Sequence, residues 1–80
     1  MEFNEKLQEL RKQKRELKNI LNSLEQEISK LELDLEEIES NLSGADPEQY
    51  QNYAAVSNKL EELNEKYFDL ALELEDIDVD

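Results

Sequence analysis

Six cations crowd into one short segment, Lys6, Arg11, Lys12, Lys14, Arg15 and Lys18, against only Glu9 and Glu16 between them. On a helix, guanidinium and ammonium groups three and four residues apart form a ladder of donors suited to phosphate oxygens. Arg11, Lys12, Lys14, Arg15 and Lys18 are therefore the candidate nucleic-acid-binding residues. Residues 6–18 carry +4 and the remainder −17, giving −13 over 80 residues. An internal reading stands beside the first. If the chain doubles back, the acidic end with Glu73, Glu75, Asp76, Asp78 and Asp80 lies along this cluster and compensates it.

Other chemistry is largely excluded by composition. There is no cysteine and no histidine, hence no disulfide framework, no thiolate or imidazole metal site, and no Ser-His or Cys-His nucleophile pair. A single glycine cannot build a Gly-rich phosphate cradle. The acidic runs Glu36-Glu37 and Glu61-Glu62 read as solvated helix faces, because calcium needs a looped, oxygen-rich site. No catalytic, cofactor or metal residue is expected, and enzyme activity is not expected of this chain. The longest apolar run, Tyr53-Ala54-Ala55-Val56, is far short of the roughly 20 residues a membrane span needs, and no signal peptide is expected at the start.

The elements that position the cluster follow from one punctuation mark, Ser43-Gly44-Ala45-Asp46-Pro47, which holds the only glycine and the only proline. The expected organisation is one all-α unit: helix 3–42, turn 43–46 and helix 47–77, folded as a two-helix antiparallel coiled-coil hairpin. Gly44 is expected to adopt the left-handed conformation that closes a helix. Asp46 is expected to cap the second helix with Pro47 at its first position, Gln49 completing a capping box and Ala45 stapling onto Tyr50.

Both arms carry an apolar stripe in alternating steps of four and three. In the first it runs through Phe3, Leu7, Leu10, Lys14, Leu17, Leu21, Leu24, Ile28, Leu31, Leu35, Ile38 and Leu42. In the second it runs through Gln49, Tyr53, Val56, Leu60, Leu63, Tyr67, Leu70, Leu74 and Ile77. In an antiparallel pair the numbers of facing residues sum to a constant, and 91 makes seven successive layers apolar on both sides, from Ile38 with Tyr53 to Leu17 with Leu74. The same register sets Asp34 opposite Lys59, Glu27 opposite Lys66 and Arg11 opposite Asp78.

Two apolar features are left over. The first arm, about 40 residues or roughly 60 Å at 1.5 Å per residue, outruns the second, about 31 residues or roughly 45 Å. Phe3, Leu7 and Leu10 thus continue the stripe past the expected end of the other arm. On the outer face of the second helix Phe68 and Leu72 are four apart, with Val79 beyond. These five, Phe3, Leu7, Leu10, Phe68 and Leu72, are the candidate partner-docking residues; fraying and ordinary surface exposure are the plainer readings.

Lys14-Arg15-Glu16-Leu17, Leu24-Glu25-Gln26-Glu27-Ile28 with Leu31, Asp46-Pro47-Glu48-Gln49-Tyr50, and Leu60-Glu61-Glu62-Leu63 with Lys66-Tyr67 and Leu70 resemble the carboxy-terminal domain of ABC-F ATPases, over roughly residues 8 to 75. The resemblance implies a coiled-coil tail following two ATP-binding cassette domains of the same polypeptide, in a cytoplasmic protein of a translation-associated family. It implies ATP and Mg in that parent, none in this chain, and a role in contacting DNA or ribosomal RNA or in modulating the ATPase. Lys12 and Arg15 match the family's basic positions. The family commonly has Arg-Trp where this chain has Lys66-Tyr67. The alternative class is a protein-interaction or oligomerisation hairpin, a scaffold or a prefoldin-like holdase, and a homodimer through a four-helix bundle fits either.

Overall fold

The computed structural model describes residues 2–44 and 46–77. Two helices, α1 (Glu2–Asn41) and α2 (Pro47–Glu75), pack along each other as a hairpin, with extents of 67 × 15 × 14 Å. Asp78 and its pairing with Arg11, Val79, Asp80, and Ala45 with its staple onto Tyr50 lie outside the described residues.

The stripes form the seam. Leu24, Ile28 and Leu63 make the buried centre, with Leu31, Leu60, Tyr67 and Leu70 packed against it. The cluster gathers the layers that the sum of 91 assigns to its centre, Ile28 with Leu63, Leu31 with Leu60 and Leu24 with Tyr67. Leu17 and Leu21 are also buried, while the remaining seam positions from Leu7 onward are half-buried. Two cylinders touching along one line cannot surround a side chain, so even Leu24 keeps 5% of its surface. Such a core stabilises by layers in series rather than by a deep interior.

The turn departs from expectation in two places. Gly44 has no positive φ. In the last turn of α1 Ser40 Oγ donates to the Glu36 carbonyl at 3.0 Å and Asn41 Nδ2 to that of Glu37 at 2.9 Å, each sharing a carbonyl already engaged by the helix ladder. One terminal carbonyl, that of Glu39, accepts from Leu42 N–H three residues on, at 3.4 Å. The last carbonyls of α1 belong to residues that are mostly exposed and can be met by water, so a left-handed glycine is not required. A Cβ at Gly44 would meet nothing within 4 Å, so Gly44→Ala should leave stability unchanged or raise it by about 0.4–1 kcal/mol in urea denaturation, by narrowing the unfolded ensemble. A loss above about 1 kcal/mol would show that the glycine's freedom is required after all.

Asp46 caps α2, its Oδ1 accepting from Glu48 N–H at 3.0 Å. Gln49 does not complete a box, because the Asp46 N–H is taken by the Ser43 carbonyl at 3.4 Å. Gln49 Oε1 reaches past the cap and accepts from Ser43 N–H at 3.0 Å, lacing the two ends of the turn. The far end of α2 tightens: Asp76 N–H is shared between the Leu72 and Glu73 carbonyls, and Ile77 N–H bonds Leu74 at 3.1 Å, so the regular helix stops at Glu75.

The cross-helix ion pairs also differ. Lys59 Nζ stands 3.7 Å from Glu62 of its own helix rather than against Asp34, and Glu27 and Lys66 do not meet at ion-pair distance. Exposed Lys and Glu gain too little from pairing to hold one geometry.

Candidate functional site

Arg11, Lys14, Arg15 and Lys18 recur at three- and four-residue steps, so the 3.6-residue period of α1 gathers them on one face. They line a shallow groove of about 230 Å³. Below it Leu17 and Leu21 are buried in the seam, which fixes the rotation of the helix and with it the direction of the cluster. Lys14 is half-buried, at the level of Ile77, with room for its methylenes along the seam. Arg11 and Lys14 both hold interaction partners. Lys12 is exposed but does not line the groove. Of the five predicted basic residues the fold thus brings four together and sets the fifth beside them. Planar guanidinium groups there can grip a phosphate or carboxylate through paired hydrogen bonds.

The predicted docking residues separate into two places. At the start of α1, Phe3 is 76% exposed and Leu7 and Leu10 are half-buried. On α2, Phe68 is 62% and Leu72 46% exposed. Phe68 and Leu60 line an open groove of about 590 Å³ together with Ser57, Asn64 and the carboxylates Glu61, Glu65 and Asp69. Of these carboxylates only Glu61 belongs to a run read as a solvated face; the gathering of all three around Phe68 needs the helical surface to be seen.

Two cross-helix hydrogen bonds were not anticipated. Tyr53 Oη donates to Glu39 Oε1 at 3.1 Å and Tyr67 Oη to Glu25 Oε1 at 2.6 Å. The signal was available: each tyrosine is in the α2 stripe, and its partner follows a seam residue of α1, the numbers summing to 92. Donation to the carboxylate holds both phenols above their ordinary value of 10.0. A phenol whose proton is held more tightly in the folded state contributes stability below about pH 10, lost as pH rises through the raised value. Absorbance titration should therefore show Tyr67 ionising above pH 10, and Glu25→Gln should return it toward the ordinary value. Ionisation of Tyr67 at its ordinary value in the unaltered chain would contradict the bond.

Among the described residues no cluster of three or more His, Cys, Asp or Glu is placed to hold a metal ion, and no helix is long and apolar enough to cross a membrane. Comparison with protein families, with curated proteins and with solved structures finds no match to this chain.

Proposed function

We propose that this hairpin is the non-catalytic carboxy-terminal coiled-coil module of an ABC-F type ATP-binding cassette protein. Its basic face contacts the phosphate backbone of DNA or ribosomal RNA, or transmits such contact to the ATPase. The observation that supports this reading is the groove of Arg11, Lys14, Arg15 and Lys18, a local cation field on a chain of net −13. ATP and Mg belong to the cassettes preceding the hairpin in the cytoplasmic parent, and the apolar start of α1 at Phe3, Leu7 and Leu10 is the junction with them. The resemblance in the arms and turn supports the same assignment.

Phosphate contacts release counterions, so the logarithm of affinity for duplex DNA falls with the logarithm of salt by about 0.9 per contact. The joint variant Arg11→Gln, Lys12→Gln and Arg15→Gln should weaken binding to a DNA or ribosomal RNA fragment and flatten that slope by about 2–3. An unchanged slope removes these residues from the contact. The coding sequence upstream should encode two ATP-binding cassettes in the same reading frame, and a frame without them would overturn the assignment.

A second reading, a protein-interaction or holdase hairpin, is favoured by the exposure of Phe3 and Phe68. It expects the hairpin to suppress aggregation of an unfolding client and Phe3→Ala with Phe68→Ala to abolish that effect.

A further inference from the structure

We infer that the outer face of α2 around Phe68 and Leu72 is a docking surface for a cationic amphipathic helix of another protein.

Phe68 and Leu72 are four residues apart, one helical turn, and stay 62% and 46% accessible. Their neighbours Tyr67 and Leu70 pack into the seam, and at about 100° per residue the Phe68–Leu72 pair is turned away from them and from α1. Glu61, Glu65, Asp69, Glu75 and Asp76 share the same outward sector, about 120° wide, and all are exposed. No cation of α2 joins them. Its only two, Lys59 and Lys66, precede Phe68 by nine and two residues, which puts both about half a turn round the helix, and Lys59 Nζ stands 3.7 Å from Glu62.

An apolar pair set among carboxylates alone selects its partner by sign and by pattern. Covering Phe68 and Leu72 attracts any apolar surface, while like charge turns away acidic and polyanionic ones. The open groove that Phe68 and Leu60 line with Glu61, Glu65 and Asp69 follows α2, and the sector from Glu61 to Asp76 extends about 22 Å. A straight surface of that kind takes a helix whose apolar side chains recur at three- and four-residue steps with lysines or arginines beside them. A second copy does not supply one. The cations of this chain are concentrated between Lys6 and Lys18, and from Arg11 to Asn19 no apolar side chain is exposed, so that basic face has nothing to set against Phe68. Contact along one helix face buries less than about 1,200 Å², the scale of a weak and transient complex.

The probe is a fluorescent Leu/Lys peptide of about 15 residues, with leucines at helical spacing to match the face, compared by anisotropy with a scrambled peptide of the same composition. The hairpin should bind the patterned peptide at least about tenfold more tightly than the scrambled one, and Phe68→Ala/Leu72→Ala should remove at least about tenfold in affinity. Glu65→Gln/Asp69→Gln should weaken binding and flatten its salt dependence, whereas Glu36→Gln/Glu37→Gln, the same loss of charge on α1, should leave it unchanged. All these positions are exposed, so helix content by circular dichroism should not change. Equal binding of the two peptides, which net charge or an unselective holdase would give, would overturn the proposal. So would an unaltered affinity in Phe68→Ala/Leu72→Ala, or an equal loss from the Glu36 and Glu37 pair. In sedimentation equilibrium at the titration concentrations the wild type should be a monomer; a dimer lost in Phe68→Ala/Leu72→Ala would give this face to a second copy instead. Nucleic acid is absent throughout, so the result is independent of the proposed phosphate contact.

Discussion

Replacing Leu63 by Ala lowers the unfolding free energy by about 2–5 kcal/mol, and Ile28→Ala does the same. Leu63 is the one described residue of α2 that is buried, 6% exposed against Leu24 and Ile28. Its truncation removes contacts that no neighbour can replace, because the solvent-facing sides of both helices lie immediately beside the seam. The exposed Leu33, 66% accessible on the outer face of α1, is the matched control: Leu33→Ala should stay within about 0.5 kcal/mol. Urea denaturation followed by circular dichroism measures both. A loss below about half a kcal/mol at Leu63 would reject the register that opposes it to Ile28.

A larger effect is expected from Leu24→Asp. Leu24 is the most buried residue among the core leucines, at 5%. The substitution forfeits the leucine contacts, about 2–5 kcal/mol, and adds about 1–3 kcal/mol for a polar group with no partner in an apolar layer. Small domains hold only about 5–15 kcal/mol in total, and a seam two helices thick belongs at the low end. The variant should be unfolded at neutral pH and regain helix content as the solution is acidified through the carboxyl range near pH 4, because neutral Asp is cheaper to bury. Near-wild-type helicity and stability at neutral pH would mean that Leu24 is not in the core.

The seam was readable because apolar side chains at three- and four-residue steps have one way to be buried together, and the lone glycine and proline mark where the chain reverses. The register followed from the stripes and the turn together: a shift of less than a heptad sets Leu60 or Leu63 against polar positions, and a whole-heptad shift moves the reversal off Gly44 and Pro47. The cap at Asp46 was readable because a carboxylate before Pro47 has nearby N–H groups to accept from. Gly44 and Gln49 were misread for a shared reason. Several groups compete to satisfy the turn's backbone, and the outcome, with Asp46 N–H on the Ser43 carbonyl and Ser43 N–H on Gln49, is set by three-dimensional proximity rather than by spacing. Lys59 chose Glu62 over Asp34 among options of nearly equal energy. At the site, the spacing of Arg11, Lys14, Arg15 and Lys18 showed the basic face directly. The carboxylate-rimmed groove did not show, because Glu61, Glu65 and Asp69 are individually ordinary and gain meaning only around Phe68.

The seam, the direction of the basic face and the exposure of Phe68 all depend on the chain doubling back as an antiparallel hairpin. The chain has no cysteine, so spin labels can be placed cleanly at Glu27→Cys and Lys66→Cys, both exposed positions. Pulsed electron resonance, with the labelled chain diluted into unlabelled chain, should give a separation of about 10–20 Å, adjacent helices lying about 8–10 Å apart. A distance near 58 Å, which 39 residues of unbroken helix would span at about 1.5 Å each, would contradict the hairpin and everything built on it.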